Sequence, residues 1–240
     1  MILQRLATSI RKQDWFTVLI ETLIVVFGVY LGIQLGNWNA ARSEQAEGRR
    51  LVERLYEEIS SSLESEAACI SRMEENLERA RGVFEALRTG ELGEGGEEEF
   101  QETFVKIGPW TDLCVIRATL DQLQGGQITL VEDQALADRI LQFADDLNGS
   151  DTSVANLGAV HMSALDEIFS EVDFAWDSGS RRLVTSFDGA AGNQALLREL
   201  ETVTFMFATM LRYHRMFDEE LHEMHDVLAD YLGKEKEVTQ

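Results

Sequence analysis

Residues 15–38 read WFTVLIETLIVVFGVYLGIQLGNW, and a stretch this long and this apolar has few structures open to it. Roughly 20 apolar residues cross a bilayer core as a helix. Trp15 and Trp38 close the two ends, and an indole ring suits the half-wet membrane interface. A cleaved signal peptide has a shorter apolar region, about 7–15 residues, followed by a small-x-small site. Here the run is longer, and NWNAAR follows it with Trp38 and Asn39 spoiling such a site. Residues 15–38 are therefore expected to form an uncleaved transmembrane helix.

Gly28, Gly32 and Gly36 make two overlapping Gly-x-x-x-Gly steps inside this stretch. In lipid there is little hydrophobic drive between helices, so close backbone approach over small residues supplies the attraction. A helix–helix contact is expected on that face. Glu21 is a carboxylate inside the apolar run, and two roles stay open for it. It stays wet or pairs with Arg11 or Lys12 near the interface, or it is a buried partner for a neighbouring subunit. In residues 1–14, Ile2, Leu3, Leu6 and Ile10 share a helical face, with Arg5, Arg11 and Lys12 elsewhere. An amphipathic helix on the membrane surface fits this pattern; a frayed N-terminus fits it equally.

The charge is divided unevenly. Residues 1–39 carry a net +1, whereas residues 40–240 hold 18 bases against 41 acids. So acidic a surface repels phosphate backbones, which argues against nucleic-acid binding. The positive-inside tally is close to even, with Arg42, Arg49, Arg50 and Arg54 beyond the span. A short basic N-terminus ahead of an anchor favours the cytoplasm. The expected placement is a single-pass protein of the bacterial inner membrane, with its acidic domain in the periplasm.

That domain reads as all-α. The chain of 240 residues has one proline, Pro109, which suits long helices and not a β-barrel or sandwich. In residues 40–89, Val52, Tyr56, Ile59, Leu63, Ala67, Ile70, Met73, Leu77, Ala80, Phe84 and Leu87 recur at steps of three or four. TGELGEGGEEE, residues 89–99, then reads as an acidic loop. Shorter helices are expected over 100–107, 111–124, 133–147 and 151–172. The stops between them come from Gly108-Pro109, Gly125-Gly126 and Asn148-Gly149, and Asp133 serves as an N-cap. Residues 173–192 read as an irregular connection pinned by Phe174, Trp176 and Phe187. The last helix, 193–232, has the cleanest seam: Leu200, Val203, Phe207, Met210, His214, Phe217, Leu221, Met224, Leu228 and Tyr231. Two long helices at the ends of the domain should pack antiparallel in an up-and-down bundle over residues 39–232, ahead of a tail at 233–240.

Two motifs carry a family resemblance. Arg11, Asp14 and Trp15, then a glycine-rich apolar span, then Asn37-Trp38-Asn39 form the first. Thr119, Asp121, Leu123, Gly126, Leu130, Val131, Asp133 and Leu136 form the second, with Leu120 where relatives often have tyrosine. Together they touch about a quarter of the chain, which resembles an uncharacterised family of bacterial membrane-anchored helical proteins. The resemblance implies architecture and location, and no reaction.

Candidate chemistry is sparse. His214, Asp218, His222 and His225 lie roughly on one side of the last helix, and Glu219-Glu220-Leu221-His222 has the Glu-x-x-His spacing of di-iron bundles. Such a site needs a second Glu-x-x-His, which the chain lacks. His214 also fills a heptad core position, where a hydrogen-bonded polar layer fixes register. Cys69 and Cys114 either bridge two helices or remain separate thiols, and geometry decides which. No nucleophile elbow, phosphate loop or zincin motif occurs. The sequence thus favours a non-catalytic assembly, scaffold or accessory subunit without cofactor. Its expected partners are membrane lipid and either further copies of itself or a larger membrane complex. A ligand-sensing periplasmic bundle is the alternative, and a metal-binding bundle enzyme is a more distant one.

Overall fold

Helix α1, Trp15–Thr89, runs unbroken for 75 residues in the computed structural model. That structure describes residues 15–108, 110–177 and 179–234, less the side chains of residues 15–18 and Asp177. The N-terminal segment with Arg5, Arg11 and Lys12, Pro109, and the tail from residue 235 lie outside the described residues.

The chain divides into two units, Met1–Arg50 and Leu51–Gln240. In the first, α1 is long and apolar enough to cross a membrane, and that stretch has no cover among the described residues. Leu23, Ile24, Val25 and Phe27 are each more than half exposed.

The second unit is all-α apart from one small hairpin. Along α1, Arg79, Arg81 and Arg88 each follow a glutamate by three or four residues and pair with it, at 2.7, 3.1 and 2.5 Å. Acid before base is the orientation that complements the helix dipole. Helix α2, Gly96–Val105, opens with Glu97, Glu98 and Glu99 at its positive end and buries Phe100 and Phe104. Residues 107, 108 and 110–117 are neither helix nor strand, so the helix expected from residue 111 is absent and only α3, Ala118–Gln124, forms. Gly126 then turns the chain at φ +123°, which L side chains rarely adopt, into a 3-10 turn at Gln127–Leu130.

Helix α4, Gln134–Glu171, is a single helix where two were expected. Asp133 caps it by accepting from the Leu136 amide at 3.0 Å. The Asn148-Gly149 stop signal is overridden. Leu147 and Val154, two turns apart on one face, are both buried. The Thr152 and Ser153 hydroxyls donate to the carbonyls of Asn148 and Gly149, holding the local turn.

The expected irregular connection is also corrected. It contains strands β1, Phe174–Asp177, and β2, Ser180–Leu183, paired antiparallel, and the short helix α5, Phe187–Ala190. The Arg181 guanidinium lies over Phe169 and Phe174, at 4.4 and 4.5 Å, and donates to the Val105 carbonyl. Phe187 is buried as a pin, whereas Trp176 is 76% exposed and is not buried as the expected pin.

Helix α6, Gln194–Leu232, starts at Asn193, whose side chain accepts from the amides of Ala195 and Leu196. Its seam is buried from Leu196 to Leu228; Tyr231 falls outside it. Helix α6 runs antiparallel to α4, since His161 meets Phe207 and Phe143 meets Phe217. It also runs antiparallel to α1, since Tyr56 meets His225 and Glu66 meets His214. The core falls into two apolar clusters. One gathers Leu55, Ile59, Leu123, Phe143, Phe217 and Met224; the other gathers Met73, Leu77, Phe104, Ile168, Phe207 and Met210.

Candidate functional site

Between the two clusters lies a polar layer. On α1 the buried stripe follows steps of three and four through Leu55, Ile59, Ser62, Glu66, Cys69 and Met73. Ser62 and Glu66 are fully buried, while Ala67, expected in the stripe, is exposed. Glu66 meets His214 of α6, with Oε1 2.5 Å from Nδ1 and neither side chain exposed. The other carboxylate oxygen, Oε2, accepts from the Cys114 amide at 2.8 Å. His214 Nε2 is buried and has no hydrogen-bond partner among the described residues.

The same face of α1 holds residues 107, 108 and 110–117, which we call the strap. Ser62 accepts from the Ile116 amide at 2.9 Å and donates its own hydroxyl to the Glu58 main-chain carbonyl. Glu58 accepts from the Thr119 amide and hydroxyl, at 2.8 and 2.7 Å, and so caps the start of α3 from another helix. Four helical residues advance about 6 Å, and two extended residues advance about 6.6 Å. The two-residue step from Cys114 to Ile116 thus matches the step from Glu66 to Ser62, and three further residues bring the Thr119 amide, in the first turn of α3, to Glu58. Cys114 is joined by a disulfide to Cys69, with Cα atoms 6.5 Å apart. The Arg72 guanidinium donates to Cys69 Sγ at 2.9 Å.

Helix α4 grips the strap from its other side. His161 Nε2 donates to the Gly108 carbonyl at 3.1 Å, which fixes the tautomer. Its ring packs on Trp110 and Phe207. Arg117 bonds Asp151 and Asn148. Trp110 lies so close to Gly158 that a Cβ there would meet Nε1 at 2.9 Å. Gly158→Ala should therefore destabilise the bundle by about 1–2 kcal/mol net, although alanine is the better helix former. Urea unfolding measures this, and a rise in stability would show that Trp110 moves aside freely.

Burial holds the His161 imidazole below its usual range, partly opposed by its hydrogen bond to Gly108. The native ring is thus harder to protonate than the unfolded one. Its contribution is present above the unfolded value and is lost as pH falls below about 6.5. The urea midpoint should fall between pH 7.5 and 5.5, and fall less in His161→Gln. Equal pH slopes in the two proteins would contradict this.

The other histidines disperse. Asp218 is half-buried, and burial raises its carboxyl above the usual range, with nearby Glu66 adding to the rise and His222 opposing it. His222 donates from Nδ1 to the Asp218 carbonyl of its own helix at 2.8 Å. His225 is buried against the Tyr56 ring at 4.7 Å, and Lys234 lies over the same ring. The four residues named from sequence thus do not converge, and among the described residues no three His, Cys, Asp or Glu side chains are grouped to hold a metal.

In the first unit, nothing lies within 4 Å of a Cβ built on Gly28, Gly32 or Gly36. Glu21 is exposed, and so is Trp38, with the Arg42 guanidinium 5.9 Å from its ring centre. Trp15 begins α1. Sequence periodicity missed Ser62, Glu66 and Glu58 because they are polar. The signal was the unbroken three-four spacing, which continues through Ser62 and Glu66. Comparison with protein families, with curated proteins and with solved structures finds no match to this chain.

Proposed function

We propose that the protein is a non-catalytic, membrane-anchored assembly or accessory subunit, carried on a single span at residues 15–38. The observation that carries this is the exposed apolar stretch of α1, which nothing among the described residues covers. Lipid covers most of such a surface. The open face of Gly28, Gly32 and Gly36 offers room for a neighbouring backbone, and homo-oligomerisation is the simplest use of it. The family resemblance supports the same architecture. Glu58, Ser62, Glu66 and His161 are engaged in holding the strap or the start of α3, which suits a structural role. The Cys69–Cys114 disulfide supports placing the bundle in an oxidising compartment, the periplasm, with the N-terminus in the cytoplasm.

Light scattering in detergent tests the assembly. The wild type should give a multiple of the 27.1 kDa chain mass, and Gly32→Leu should fall toward one chain. A single-chain mass for both proteins would overturn the reading.

A further inference from the structure

We propose that Cys69–Cys114 is an exchangeable disulfide, attacked at Cys114 by a dithiol reductant, and that its opening releases the strap. This stands independently of the assembly reading. The two sulfurs differ in access. Cys69 is fully buried on α1, whereas Cys114 is half-buried on a segment with no regular structure. An incoming thiolate therefore meets Cys114 first. The departing sulfur is then Cys69, and the Arg72 guanidinium already stands 2.9 Å from it. A cation beside a leaving thiolate stabilises it and speeds exchange.

The electrons balance as follows. The thiolate of the dithiol bonds to Cys114 Sγ, the Cys69–Cys114 bond breaks, and Cys69 leaves with the electron pair and takes a proton from water. The second thiol of the reductant, giving up its proton, attacks the mixed disulfide. Cys114 departs as a thiolate and is protonated in turn. The reductant ends as its own disulfide, oxidised by two electrons, and the protein carries two thiols.

The consequence follows from how the strap is held. Among the described residues it has no backbone ladder: it is held by separate bonds from Glu66, Ser62 and His161, by the bonds of Arg117 to Asp151 and Asn148, and by the packing of Trp110, Leu113 and Val115. Segments attached in this way open locally while a packed core stays closed. Opening takes the Cys114 amide from Glu66 and uncovers the Glu66–His214 layer.

The test uses the full chain in detergent micelles with dithiothreitol, followed by alkylation, intact mass and hydrogen exchange. Two alkyl groups should be gained with no denaturant present. Exchange in a peptide spanning residues 108–117 should rise about tenfold or more while α4 and α6 stay protected. Arg72→Gln should slow reduction roughly threefold, with Arg72→Lys restoring it. The proposal is overturned by any of four results: reduction only in denaturant, unchanged protection of the strap, loss of α4 and α6 protection along with it, or an Arg72→Gln rate equal to wild type.

Discussion

His214→Ala should lower the unfolding free energy of the bundle by about 3–5 kcal/mol, the cost of leaving a buried carboxyl without its partner. Glu66 is fully buried, so once His214 is gone its carboxyl lacks that partner in a near-apolar interior. The expected recovery is as informative as the loss. Glu66→Met combined with His214→Leu removes both polar groups, and apolar residues often replace a buried pair with little loss. The double variant should return to within about 1–3 kcal/mol of wild type, the remainder being the Cys114 amide, which loses its acceptor. Chemical denaturation of wild type, Glu66→Met, His214→Leu and the double variant measures the coupling directly. A cost below about 1 kcal/mol for His214→Ala would mean that water reaches the layer and replaces the imidazole.

Replacing both cysteines by serine should cost about 4 kcal/mol. The bond closes a loop between positions 45 residues apart, and a cross-link of that separation removes about that much chain entropy from the unfolded state. The urea midpoint should fall with little change in helix content, because α1, α4 and α6 keep their apolar seams. If wild type and the serine variant unfold at the same midpoint, the loop must already be held in the denatured chain, and the entropic account fails for this bond.

Sequence periodicity located the two long helices because their buried faces are mostly apolar, and α6 follows its seam from Leu196 to Leu228. It failed where the physics was not local. Residues 111–117 include Leu113, Val115 and Ile116, an apolar run that suits a helix, yet side chains from α1 claim their backbone. Asn148-Gly149 has the chemistry of a helix stop, yet burial on both sides and the Arg117 clamp carry α4 through it. The hairpin had a readable sign, two short runs around a two-residue loop ending in Gly179, which the aromatic residues of β1 obscured. Of the candidate site, His214 was legible as a polar residue in a heptad position. Its partner was not, because a search for apolar recurrence passes over a buried glutamate.

The ladder from Glu58, Ser62 and Glu66 has a consequence for how this region tolerates change over evolutionary time. Surface connections ordinarily absorb insertions and deletions, since little depends on their length. Here α1 reads main-chain amides at Cys114, Ile116 and Thr119, and no side chain at Ile116. The identity of Ile116, 41% exposed, is therefore free to drift. The number of residues between Cys114 and Thr119 is not, because adding or removing one shifts the amides away from Glu66, Ser62 and Glu58, which α1 fixes four residues apart. The region behaves as a ruler, permissive in spelling and strict in length.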